Sequence, residues 1–209
     1  MNPTDIKQRL IIFSRYPEPG KTKTRMIPAL GAEGAANLQR QMTEHTLAQA
    51  KKLTELLPVA IEVHFAGGNQ QLMANWLGQD LVYQPQSSGD LGARMTSAFE
   101  EAFIATMEAV VMIGIDCPGL DENLLSQAFN ALGNHDLVLG PAQDGGYYLI
   151  GLGRYSTELL KNIAWGTDQV LAQTVANAKE LDFSIAYLDT LSDVDRPEDL
   201  VIWESFSRK

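Results

Sequence analysis

Val110-Val111-Met112-Ile113-Gly114-Ile115 is a nearly unbroken apolar run that ends on one acid, Asp116, and is stopped at once by Cys117-Pro118-Gly119. A run this short, β-rich and closed by Pro and Gly reads as a buried strand. In an open parallel α/β sheet, ligands bind in the crevice beyond the carboxyl ends of the strands. Asp116 therefore stands where a metal or substrate ligand is expected. Its alternative duty is to cap the helix that follows.

The remaining apolar runs alternate with amphipathic stretches. Strands are expected at Leu10–Ser14, Val59–Phe65, Leu81–Tyr83, Asp136–Pro141 and Phe183–Leu188, with a further apolar run at Tyr147–Gly151. Between them, Ala35, Leu38, Met42, Thr46, Ala50, Leu53 and Leu57 recur at three- and four-residue steps, a long helix ended by Pro58. Shorter helices are expected at Gln70–Leu77, Ala93–Met107, Asp121–Leu132 and Gln169–Leu181, the last capped by Thr167 or Asp168. The alternation predicts one three-layer α/β/α domain over residues 1–209.

Charge limits the partners. With 16 Lys and Arg against 26 Asp and Glu, the net charge of −10 argues against sequence-independent binding to nucleic acid or anionic membranes. A single cysteine rules out an intrachain disulfide or a Cys-rich zinc site. The polar leader before Leu10 lacks a signal peptide's apolar core, and no run is long enough for a membrane span, so a cytoplasmic protein is expected. The oligomeric state is open, and a homo-oligomer is compatible with the sequence.

Against that acidic background, Arg15, Lys21, Lys23 and Arg25 crowd into the loop after the first strand, around Pro17-Glu18-Pro19-Gly20. Such a loop can hold phosphate, lysine as a point charge and arginine as a planar fork. It has neither P-loop nor Gly-x-Gly-x-x-Gly spacing. Gly89 and Gly92 permit close approach of a flat base, and Arg94 sits unfavourably in the first turn of its helix unless a phosphate or carboxylate meets it. Asp144 is a second acid at a strand end, read as closing a neighbouring βα unit, before Gly145-Gly146. The alternative is an ordinary hairpin turn. Asp193-Val194-Asp195 precedes a helix that Pro197 can begin, so these acids are metal ligands or caps. Trp165 is read as core or lid, with core the favoured reading.

Pro17-x-Pro19-Gly20-Lys21-x-Lys23-Thr24-Arg25, Gly114-x-Asp116-Cys117-Pro118, Pro141-x-x-Asp144-Gly145-Gly146-Tyr147, Trp165-Gly166-Thr167 and Asp193-x-Asp195-x-Pro197-Glu198-Asp199-Leu200 occur in that order. Together they resemble the bacterial family DUF2064, classed with the GT-A nucleotide-diphospho-sugar transferases and often named as glycosyltransferases. The resemblance implies a Rossmann-like mixed sheet with a nucleotide over the first strand and Mg²⁺ or Mn²⁺ bridging its phosphates. It puts base and ribose on Phe13, Ser14 and the Gly89-Asp90-Leu91-Gly92 loop. Lys21, Lys23 and Arg25 then neutralise the phosphates, Asp116 serves the metal, and Asp195 or Asp193 completes the metal site; Arg15 and Arg94 are counted among the nucleotide-binding residues.

Two departures from the pattern matter. Pro118 stands where GT-A glycosyltransferases commonly carry the second acid of Asp-x-Asp, and the Gly-rich loop of sugar nucleotidyltransferases is missing. The single acid and the Lys-x-Lys-Thr-Arg loop also suit the 2-phospholactate guanylyltransferase and molybdenum-cofactor nucleotidyltransferase branch. The expected donor is a nucleotide-sugar, or else a nucleoside triphosphate, with a small-molecule acceptor. Asp144 is the expected general base or sugar ligand, and Lys21 and Arg25 position the reacting phosphates. A nucleotide-binding module without turnover is the third class.

Overall fold

The computed structural model describes residues 6–207, so most of the polar leader lies outside the described residues. Seven strands form one mixed sheet: β1 (Gln8–Arg15), β2 (Val59–Ala66), β3 (Val82–Pro85), β4 (Ala109–Ile113), β5 (Leu137–Pro141), β6 (Tyr147–Leu152) and β7 (Ile185–Tyr187). Their order is β3-β2-β1-β4-β6-β5-β7. The pairs β1–β2, β1–β4, β2–β3 and β5–β7 are parallel, and β6 runs antiparallel to both of its neighbours.

Alternation along β1 explains the layers. Leu10 and Ile12 face one core and Ile11 and Phe13 the other, so the strand is covered on both sides. The first face is covered by α1 (Ile27–Leu56), α2 (Gln70–Leu77), α4 (Glu122–Ala131) and α6 (Leu200–Ser207). The second is covered by α3 (Leu91–Ile104) and α5 (Val170–Glu180). This is the three-layer α/β arrangement expected from the sequence. Among the described residues, no helix is long and apolar enough to cross a membrane.

Local chemistry sets the helix ends. Asn69, Asp90 and Asp121 are N-caps whose side chains accept from Leu72, Ala93 and Leu124 backbone N–H at 2.9, 2.8 and 2.9 Å. The long helix is interrupted at Gly31, so its continuous part, which carries the apolar spacing from Ala35 onward, begins at residue 32.

Three expectations change. Asp121 caps α4, which removes helix capping from the duties open to Asp116. The Asp144 turn connects antiparallel β5 and β6, so it is a hairpin and not the end of a second βα unit. Finally, α5 starts at Val170 with Gln169 as its cap residue, while Thr167 Oγ1 bonds to the Ala164 carbonyl at 2.7 Å, so neither Thr167 nor Asp168 is the cap.

Strand order reverses at β1. The chain builds outward as β1-β2-β3 and then returns to lay β4 on the other side. The carboxyl ends of β1 and β4 therefore splay their connections apart, which opens a crevice above the sheet.

Candidate functional site

A cleft of about 670 Å³ lies at that crevice. Ligand pockets of this size hold small molecules. Phe13, Ser14 and Arg15 line it from the end of β1, and Leu91 and Arg94 from the first turn of α3. Asp116, Asp144, Asp193 and Asp195 line it from segments that lie far apart in sequence. Positive and negative groups thus share one cavity.

The β1 side has a flat aromatic surface. The Phe13 ring stacks on buried His64, centroids 5.9 Å apart and planes 17° from parallel. Behind it, Gln86 Nε2 donates to the Ser14 and His64 carbonyls at 3.3 and 3.0 Å. Gln86 Oε1 accepts from Arg94 Nη1 at 2.8 Å, and Arg94 Nε donates to the Asp90 carbonyl at 3.2 Å. Neutral acceptors therefore aim Arg94, and no carboxylate among the described residues pairs with it. Arg15 is likewise free of an acid, donating to the Lys21 carbonyl at 3.3 Å. Ser14 lines the cleft, but its hydroxyl lies 2.9 Å from Thr43 Oγ1 in the α1 layer.

The acidic side is stitched to the basic loop. Lys23 Nζ donates to Asp116 Oδ1 at 2.7 Å and to the Val194 carbonyl at 2.5 Å. The Val194 N–H in turn bonds to the Asp116 carbonyl at 2.8 Å. Arg25 pairs with Asp195, and Lys21 with Glu18 at 2.6 Å. Asp144 Oδ1 accepts from Gly146 N–H at 2.9 Å, which fixes the carboxylate inside its hairpin. Burial, reinforced by the negative charges of Asp144 and Asp116, pushes the Asp193 carboxyl above its ordinary range. Burial and the same acids push the Cys117 thiol far up, so Cys117 is no thiolate nucleophile.

These donors are all hard oxygens, the type that Mg²⁺ and Mn²⁺ prefer. No three of the described His, Cys, Asp or Glu side chains close on one point. Mg²⁺ commonly uses one or two carboxylates plus substrate phosphates, so the acids present fit a divalent ion delivered with a phosphate ligand.

The far wall is the segment 164–168. The Trp165 ring lies edge-on to Tyr147, centroids 6.5 Å apart, and a methyl group on Gly92 would come within 2.5 Å of Trp165 Nε1. Trp165 thus bridges the start of α3 and the β5–β6 hairpin; partly buried, it packs against the second core, as expected, and also lines the cleft. That contact also gives Gly92 its reason. The close approach it permits is that of Trp165, and neither Gly92 nor Gly89 lines the cleft.

The sequence-derived candidates therefore divide. The cleft collects Phe13, Ser14, Arg15, Leu91, Arg94, Asp116, Asp144, Asp193 and Asp195. Lys23 and Arg25 sit behind its acids, while Lys21, paired with Glu18, does not line it. Sequence reasoning missed Gln86, Asp168 and Arg196, which also line the cleft. Gln86 stands in a polar stretch just before Gly89, but nothing in the sequence gives its carbonyl partners.

Comparison with known proteins agrees with this architecture. Residues 46–167 match the family model described as an uncharacterized protein conserved in bacteria, DUF2064. A search of curated proteins finds no match. A solved protein from Desulfovibrio desulfuricans G20, described as a candidate nucleotide-diphospho-sugar transferase, is 31% identical with a TM-score of 0.88, over 94% of this chain and 86% of that one. The 4-diphosphocytidyl-2C-methyl-D-erythritol synthase of Anaerococcus prevotii DSM 20548 shares the fold at 11% identity and a TM-score of 0.63, over 100% of both chains. The inositol-1-phosphate CTP transferase of T. maritima does so at 13% and 0.61, over 97% of this chain and 96% of that one. With the motifs and the fold in agreement, the chain belongs to the DUF2064 family.

Proposed function

We propose that this protein is a transferase acting on a nucleotide-activated substrate in the cleft, with a nucleotide-diphospho-sugar as donor and a small-molecule acceptor. One observation carries the reading: an aromatic surface, arginines (Arg15, Arg94 and Arg196) with no ion-pair partner among the described residues, and four carboxylates converge at the point where the strand order reverses. A base stacks on Phe13, and Arg94 and Arg15 draw the phosphates inward. The likeness to the Desulfovibrio protein supports the choice of donor.

The chemistry is displacement beside a pyrophosphate. Asp144, fixed by the Gly146 N–H, holds an acceptor hydroxyl and takes its proton as the hydroxyl attacks the sugar carbon. Charge developing on the departing phosphate is met by Arg15 and Arg94. Asp116, with Asp195 or Asp193, would hold Mg²⁺ or Mn²⁺, which when bound supplies Lewis-acid stabilisation of that leaving group.

The test is product analysis after incubation with nucleotide-sugars and nucleoside triphosphates plus Mn²⁺. Release of a nucleoside diphosphate is expected, and Asp116→Asn is expected to lower it by about 10²-fold or more. Pyrophosphate release would instead assign the nucleotidyltransferase class, and thermal stabilisation without either product a binding module.

A further inference from the structure

We propose that Lys23 is the resident counter-ion of Asp116. It keeps a lone divalent cation off that carboxylate, so that a metal ion engages Asp116 only together with a phosphate-bearing ligand. The inference rests on the reading of Asp116 as a metal ligand given above.

Lys23 was expected to meet phosphate, and in the structure its ammonium is directed at a carboxylate and a carbonyl. Its side chain is 4% exposed, against 63% for Arg25. An ammonium has three protons to donate, and two are already directed at Asp116 Oδ1 and the Val194 carbonyl. Lysine is almost never buried this far unless it is paired. The Lys23 backbone is left-handed, at φ 46° and ψ 43°, a conformation that a non-glycine residue keeps only when its surroundings hold it there. The same residue makes this pair of contacts, and the Val194 N–H on the Asp116 carbonyl closes the circuit. Lys23 thereby ties the basic loop, the end of β4 and the 193–195 segment at one point.

The consequence for a metal ion is electrostatic. A fixed positive charge 2.7 Å from Asp116 Oδ1 repels a second cation on the same carboxylate. Asp116 is 51% exposed, so its other oxygen can still be reached from the cleft. Phosphate groups arriving with the ion bring the negative charge that offsets the repulsion. Lys23 is thus a positioning residue that sets the conditions for metal binding, whereas Arg15 and Arg94 face the substrate.

The test uses Mn²⁺ alone on the nucleotide-free protein, with free Mn²⁺ followed by electron paramagnetic resonance. Lys23→Met is expected to bind Mn²⁺ at least about tenfold more tightly than the parent, a small share of the repulsion between charges at that spacing. Lys23→Arg should stay at the parent level, and adding Asp116→Asn to Lys23→Met should abolish the gain. A folded Lys23→Met that binds no more tightly, or a gain that survives Asp116→Asn, would overturn the proposal.

If Lys23→Met melts before titration, the metal-free melting temperature of the two acids decides. Asp116→Asn should melt below Asp195→Asn, because only the former strips a buried cation of its carboxylate. Equal melting would count against the proposal. No nucleotide enters these measurements, so a protein without transferase activity would still give the Mn²⁺ result.

Discussion

Replacing Gly145 with alanine is expected to lower the melting temperature by about 6–12 °C, a loss of roughly 3 kcal/mol for a chain of this size. Two costs add. Gly145 has φ +88°, where an L side chain costs about 1–2 kcal/mol. A methyl group there would also lie 2.4 Å from the Asp168 carbonyl oxygen and 2.6 Å from its Cα. Both are backbone atoms that no rotamer change can move, and overpacking of this kind costs about 1–3 kcal/mol. The Leu171 N–H bonds to the Gly145 carbonyl at 3.0 Å, so the start of α5 would be pushed off the hairpin as well. Gly166→Ala is the control. Its φ of +80° imposes the same strain, but nothing lies within 4 Å of the added methyl. Differential scanning calorimetry separates the two, and equal melting would mean that the hairpin and the Asp168 segment are not docked.

Asp144→Asn is expected to lower turnover by about 10²–10³-fold while the donor KM changes little. The asparagine retains the acceptor for the Gly146 N–H, so the hairpin should keep its shape. What it lacks is a basic oxygen for the acceptor's proton. Steady-state kinetics with the donor identified by product analysis makes the comparison. A raised KM at unchanged turnover would assign Asp144 to binding the sugar instead.

Much of this site was legible along the chain, and the reasons differ from residue to residue. Asp116 could be found because strand end and acid coincide in sequence, and position alone carries meaning in a parallel sheet. Asp144 was found for a partly wrong reason. Its acid and glycines suggested a second βα unit, whereas the observed β5–β6 pairing is antiparallel, the hairpin reading that Asp-Gly also allowed. The direction of a neighbouring strand is a tertiary fact that a turn dipeptide does not encode.

Lys23 shows the same limit. A cation in a Pro- and Gly-rich loop looks solvated or phosphate-binding, and its carboxylate partner lies 93 residues away. Trp165 was favoured as core, and it does pack partly buried against the second core while also reaching the cleft. Its place in the cleft depends on Gly92, where the absence of a side chain leaves room for the indole. Local propensity reached the strands and the acids, whereas the cap of α5 and the pairings between distant segments needed the fold.

The most direct measurement is a crystal structure with a nucleoside diphosphate and Mn²⁺ bound. The base is expected against Phe13, the phosphates within reach of Arg15 and Arg94, and Mn²⁺ between those phosphates and Asp116. A nucleotide bound elsewhere, or Mn²⁺ in the cleft with no contact to Asp116, would contradict it.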